Sequence, residues 1–178
     1  MSVIWITGLS GSGKTTIAKA IVKKMTTKEK IIIFLDGDEL RKVFKTEDKA
    51  SDFNYKNRLL NAQKISRLGC LLSSQGHTVV ISTMSMFKEI YEWNRENINK
   101  YFEVFINLPM EELIKRDSKK IYSKYLSGNL TNVVGMDLTY DKPLNPNLII
   151  SNFKIEHLSI IVNKIIDGYE KEVVKVIK

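Results

Sequence analysis

Apolar residues recur along this chain in two rhythms. Five short runs are mostly apolar: Val3-Ile4-Trp5-Ile6-Thr7, Ile31 to Leu35, Thr78 to Ser82, Phe102 to Leu108 and Leu148 to Ile150. Runs of this length, rich in β-branched and aromatic residues, predict strands buried on both faces. Between them the spacing becomes that of a helix face. Ile17, Ala18, Ile21, Val22 and Met25 predict a helix over Lys14 to Met25, and Leu59, Ala62, Ile65, Leu68 and Leu72 one over Arg58 to Ser74. Two more are predicted over Ile90 to Lys100 and Glu111 to Lys124. An amphipathic helix over His157 to Lys178 follows from Leu158, Ile161, Ile165 and Ile166. Leu126 to Pro146 carries glycine, asparagine and proline without either rhythm and reads as loop. Strands alternating with helices predict an α/β fold of three layers, a parallel sheet of about five strands with helices on both faces. No internal repeat interrupts this order.

The length of 178 residues suits a single domain over 1–178. The longest aliphatic or aromatic run, Ile31 to Leu35, is far too short to cross a bilayer. The start lacks the pattern of a secretory signal, and Cys70 is the single cysteine, which excludes an internal disulfide. With only His77 and His157 besides, a structural zinc site is not expected. These points lead to the expectation of a reduced, cytoplasmic setting and no membrane partner. The formal charge of +8 attracts anions, but its excess is scattered lysine, with no basic stripe interleaved with aromatics. A nucleic-acid partner is therefore not expected. The five arginines, Arg41, Arg58, Arg67, Arg95 and Arg116, are more informative, because a planar fork suits phosphate or carboxylate.

Gly8-Leu9-Ser10-Gly11-Ser12-Gly13-Lys14-Thr15 fits the phosphate-loop pattern G-x-x-x-x-G-K-[ST], continued by Thr16, and lies between a strand and a helix as the motif requires. Glycines let backbone N–H groups turn inward around phosphate oxygens, and the helix N-terminus adds its positive dipole end. Lys14 is expected to reach the β- and γ-phosphates and the Thr15 hydroxyl to ligate Mg²⁺. This predicts binding of a nucleoside triphosphate. A GTPase is set aside, since N-K-x-D and D-x-x-G are both missing. A small kinase becomes the leading class.

Asp36-Gly37-Asp38-Glu39-Leu40-Arg41 sits at the C-terminal end of the second predicted strand, the edge where parallel sheets bind ligands. A carboxylate there can take a proton from an attacking hydroxyl, hold Mg²⁺ through water, or cap the next helix. Arg41 can clamp an acceptor phosphate.

From about Val3 to Leu148 the sequence resembles the adenylyl-sulfate kinase family. The resemblance rests on residues 8–16, on D-G-D-x-x-R at 36–41, on Phe53 with Arg58 and Asn61, and on Ser85. It also rests on Arg116-Asp117-Ser118-Lys119-Lys120-Ile121-Tyr122, Gly135-Met136-Asp137 and Tyr140-Asp141-Lys142-Pro143. It implies a P-loop kinase that uses ATP and Mg²⁺ to phosphorylate the ribose 3′-hydroxyl of a nucleotide. Asp36 would be the general base, and Lys14 would hold the transferring phosphate. Asp38, Arg41, Phe53, Arg58, Asn61 and Lys119 would bind the acceptor, while Arg116 would lie near the ATP phosphates. Ser85 falls on the family's phosphorylatable serine, and the resemblance also implies a homodimer. By residue type alone, Phe53 also fits a core position and Ser85 a helix cap.

The departures fall on the acceptor side. The family's I-S-P-Y is Met84-Ser85-Met86-Phe87 here. Val133 stands where the lid carries a phenylalanine, and Gln63-Lys64 and Tyr125-Leu126 replace basic pairs. Relatives of the family act on cytidine diphosphoramidate in capsule modification, and a pyrimidine needs less stacking surface. Two acceptors therefore stay open, adenylyl sulfate and a cytidine nucleotide. A non-catalytic nucleotide-binding regulatory module is the reading from another class, and retention of Lys14, Thr15, Asp36 and Arg41 argues against it. A lid over about 116–146 is expected to exclude water.

Overall fold

Alternation along the central strand explains the layering. In the computed structural model, which describes residues 1–27, 30–44, 54–152, 154 and 157–174, β1 (Ser2–Gly8) is buried throughout. Its Ile4 and Ile6 face one apolar core, and Val3 and Trp5 face the other. The first core is closed by α1 (Lys14–Met25) and α7 (Leu158–Tyr169), the second by α3 (Tyr55–Ser74) and α4 (Lys88–Asn97). The sheet is completed by β2 (Ile32–Asp36), β3 (Thr78–Thr83), β4 (Tyr101–Ile106) and β5 (Leu148–Ile150). Its five strands run in the order β2-β3-β1-β4-β5, and every neighbouring pair is parallel. All strand C-termini therefore share one edge, where the phosphate loop lies. Among the described residues no helix is long and apolar enough to cross a membrane.

One open reading is met and two expectations about the elements are corrected. Asp36 caps the next helix, α2 (Gly37–Val43), its side chain accepting the N–H groups of Asp38 and Glu39. The helix read over Glu111 to Lys124 is two helices, α5 (Met110–Arg116) and α6 (Ile121–Leu126). Asp117 at φ 22° and Lys120 at φ 54° break it, and the Asp117 carboxylate then accepts the N–H groups of Tyr122 and Ser123. The last helix gives way at Glu170–Val174 to a π-helical turn, and the rest of its predicted span lies outside the described residues.

The stretch of chain over residues 141–145 is stitched along α4. Asp141 accepts the Lys88 N–H at 2.9 Å, Tyr91 donates its hydroxyl to the Asp141 carbonyl at 3.1 Å, and Arg95 reaches the Asn145 carbonyl. These three helix positions lie on one face, so α4 anchors one end of the segment that covers the site.

Candidate functional site

The phosphate loop adopts backbone conformations that favour glycine at Gly8, Gly11 and Gly13. Gly8 has φ 153°, and a Cβ there would lie 2.5 Å from the Ile106 carbonyl. Gly13, at φ 91°, turns the chain into the first N–H groups of α1 without a side-chain cap, leaving them for an anion. Lys14 closes the loop by donating to the Leu9 carbonyl at 2.7 Å. Burial, and then the neighbouring Lys119 and Arg41, push the Lys14 ammonium down to about 7, against the attraction of Asp36. An anion-free loop thus holds a lysine poorly compensated by its surroundings.

The loop borders a cavity of about 750 Å³. Ser10, Gly11, Gly13, Lys14, Thr15 and Thr16 line it. Leu9 is buried in the core and Ser12 beneath the loop, where its hydroxyl has no partner among the described residues. Leu9 thus contributes its carbonyl rather than its side chain. The Tyr122 hydroxyl on α6 donates to the Ser10 carbonyl at 2.9 Å, pinning the covering segment to the loop.

Asp36 carries more bonds than a free base would. Its Oδ2 accepts the hydroxyls of Thr15 at 2.8 Å and Ser82 at 2.7 Å, and its Oδ1 accepts the N–H groups of Asp38 and Glu39 at 3.0 and 3.4 Å. Four donors occupy the lone-pair directions of one carboxylate. Asp36 thus caps α2 and orients the Thr15 hydroxyl, and the general-base role expected of it would require one of these donors to move away. Asp38 points elsewhere: its carboxylate pairs with Arg41 and with Lys119, which reaches it from the covering segment.

Another part of the cavity wall is built on α3. Arg58 donates to the Asn132 carbonyl at 3.3 Å and lies 4.0 Å from the Met84 sulfur. Burial, with Arg41 nearby, pushes its guanidinium down to about 10, and no carboxylate pairs with it among the described residues. One helical turn on, Asn61 is 6% exposed, and its side-chain oxygen lacks a partner among the described residues. The wall beside them is apolar: Ala62, Ile65, Met84, Phe87 and Val133. Tyr55 packs edge-on against Phe87 at 5.2 Å. Phe53 lies outside the described residues. Ser85 lines the cavity but is 6% exposed, its hydroxyl bonded to that of Thr83 at 2.8 Å. Arg116 also lines the cavity and bonds Glu112 at 3.0 Å.

Val133 belongs to a turn held by Asp137, whose carboxylate accepts the N–H groups of Asn132 and Val133 at 2.7 and 2.6 Å. These bonds hold the Asp137 carboxyl below its ordinary value despite the opposing desolvation. Sequence reasoning missed Ser82, Phe87 and Asn132 as parts of the site. The signal for Ser82 was its place at the end of a strand, but its pairing opposite Asp36 is a fact of sheet register.

A phosphate loop on a parallel sheet, facing a lined cavity with buried cations, is the site of a P-loop phosphotransferase. Comparison with known proteins agrees. The family described as adenylylsulphate kinase matches residues 1–151. A cytidine diphosphoramidate kinase of Campylobacter jejuni is 43% identical over 150 residues, covering 84% of this chain and 85% of that protein. An adenylyl-sulfate kinase of Pseudomonas aeruginosa is 35% identical over 171 residues, covering 95% and 85%. The structure of the Mycobacterium tuberculosis APS kinase CysC in complex with AMPPNP and APS superposes with a TM-score of 0.84 at 30% identity, covering 95% of this chain and 97% of that one. The chain belongs to the adenylylsulphate kinase family and is a kinase of the P-loop fold.

Proposed function

We propose that this kinase transfers the γ-phosphate of ATP to the ribose 3′-hydroxyl of a nucleotide that carries a second anionic group. The observation that carries this reading is one cavity with a phosphate loop at one end and the Arg58–Asn61 pair at the other. ATP would occupy the loop, its charge met by the loop N–H groups, Lys14 and Arg116. The Thr15 hydroxyl, held by Asp36, offers an oxygen donor, which suits Mg²⁺, a cation that keeps waters and few protein ligands. Thr15 would hold the ion, which when bound supplies charge to the transferring phosphate.

The new bond forms between the acceptor oxygen and the γ-phosphorus, the bond to the bridging oxygen breaks, and ADP leaves. The acceptor proton would pass to a carboxylate of the Asp36–Asp38 pair, and Lys119 and Arg41, which pair with Asp38, would meet the charge of the phosphates. Arg58 would hold the anionic second group of the acceptor, with Asn61 beside it. The covering segment, anchored at Tyr122 and along α4, would exclude water. We read the protein as a cytoplasmic homodimer, on the family resemblance and the sequence reading given above.

The cytidine acceptor is the second reading. Val133 puts a small aliphatic side chain on the cavity wall, and the Campylobacter relative is a cytidine diphosphoramidate kinase. Phosphate transfer from ATP to adenylyl sulfate and to cytidine diphosphoramidate, assayed side by side, tests both. Transfer to either 3′-hydroxyl supports the function and names the acceptor; transfer to neither overturns it.

A further inference from the structure

Asp36 bonds to one residue that neither the phosphate-loop motif nor the acceptor motifs contain. Ser82, next to last in β3, pairs with Asp36 across the β2–β3 ladder and with Ile6 across the β1–β3 ladder. It thus stands between the carboxylate and the strand that feeds the phosphate loop. Its side chain is 2% exposed, and its hydroxyl proton goes to Asp36 Oδ2 at 2.7 Å. The same oxygen accepts the Thr15 proton at 2.8 Å.

This sharing has a consequence for Thr15. A hydroxyl has one proton and two lone pairs. When its proton is aimed at Asp36, its lone pairs are aimed away from the carboxylate, into the cavity. The direction of the Thr15 lone pairs therefore depends on where Oδ2 sits. The two α2 N–H groups fix Oδ1, but a carboxylate held at one oxygen still rocks about that point. Ser82 is the second hydroxyl on Oδ2 and removes that freedom.

We infer that Ser82 is a positioning residue for the cation that accompanies the nucleotide, acting through Asp36 on Thr15. The inference rests on the reading that Thr15 holds Mg²⁺. Partners that orient a metal ligand typically change metal affinity about 10- to 100-fold when removed. Ser82 acts through one more residue, so the lower end, about tenfold, is expected.

The test compares ADP binding by calorimetry with Mn²⁺ and with EDTA, and Mn²⁺ binding to the protein–ADP complex by electron paramagnetic resonance. Ser82→Ala is expected to weaken Mn²⁺ binding about tenfold while leaving ADP binding in EDTA unchanged. Ser82→Thr, which keeps the hydroxyl, is expected to behave as wild type. In an Asp36→Asn background, Ser82→Ala is expected to add nothing further. If the wild type binds ADP equally with and without Mn²⁺, the metal reading itself fails. If the wild type depends on Mn²⁺ and Ser82→Ala does not change that dependence, or weakens both forms of binding equally, the Ser82 inference alone is overturned.

Discussion

Lys14 offers the sharpest quantitative test, because its ammonium is pushed down to about 7 by burial and by the charges of Lys119 and Arg41. At that value about half of the ligand-free molecules carry the charge at pH 7, and about one in ten at pH 8. A bound phosphate reverses the balance, since an anion within contact favours the charged lysine. Nucleotide binding should then take up about 0.9 proton per site at pH 8, where nucleotide phosphates are already ionised, and about 0.5 at pH 7. Linkage makes the affinity about tenfold weaker at pH 8 than at pH 6. Calorimetry of ADP with Mg²⁺ in two pH 8 buffers of different ionisation enthalpy measures the uptake directly. Lys14→Met should bind more weakly and lose the uptake. The same shift has a stability sign. The folded value lies below the ordinary 10.5, so between the two the unfolded chain binds more protons, and the ligand-free protein gains stability as pH rises through that window. Urea melts of wild type minus Lys14→Met at pH 7 and pH 9 read this gain. Identical heats in both buffers at pH 8, or an uptake that survives in Lys14→Met, would refute the argument.

Arg58→Leu should raise the acceptor KM roughly 10- to 150-fold, the worth of about 1.5–3 kcal/mol for bonds to a charged group, with the ATP KM nearly unchanged. An equal rise in both would mean that its bond to Asn132 holds the covering segment rather than the acceptor. Val133→Phe should improve kcat/KM for adenylyl sulfate relative to a cytidine acceptor by about 5- to 150-fold if the ring stacks in the cavity, measured by competition; because Val133 is 5% exposed, no gain together with a lowered Tm would place the ring in the core instead. Arg95→Ala removes the cation from Glu103, which is fully buried and otherwise bonded to the Tyr101 hydroxyl at 2.9 Å. The loss should be about 1–3 kcal/mol, less than for a fully buried pair because the Arg95 side chain is 37% exposed. Desolvation already raises the Glu103 carboxyl against the pull of Arg95, so the loss should shrink from pH 7 to pH 5.5, where the unpaired acid takes a proton, as urea melts at the two pH values would show.

Much of this molecule is written in local sequence. The unbroken apolar run of β1, helical spacing in α1 and α3, and the glycines and lysine of residues 8–15 each carry their meaning within a few positions, because backbone conformation and the faces an element buries are local properties. The alternation of strands and helices adds the parallel sheet, since such connections leave few other packings. The roles at the site depend on contacts that sequence distance hides. Asp36 read as a base, a metal partner or a helix cap at a strand end, and four donors from three separate segments show it capping α2 and holding Thr15. Asp117 looked like an ordinary residue of one helix, but its side chain ends that helix and starts another. Ser82 had no signal beyond its strand, because only the register of β2 against β3 brings it to Asp36. Local sequence determined most of the elements and set the phosphate-loop motif between β1 and α1. Tertiary structure decided which polar group each carboxylate serves, because a hydrogen bond depends on a few tenths of an ångström between residues that the chain leaves far apart.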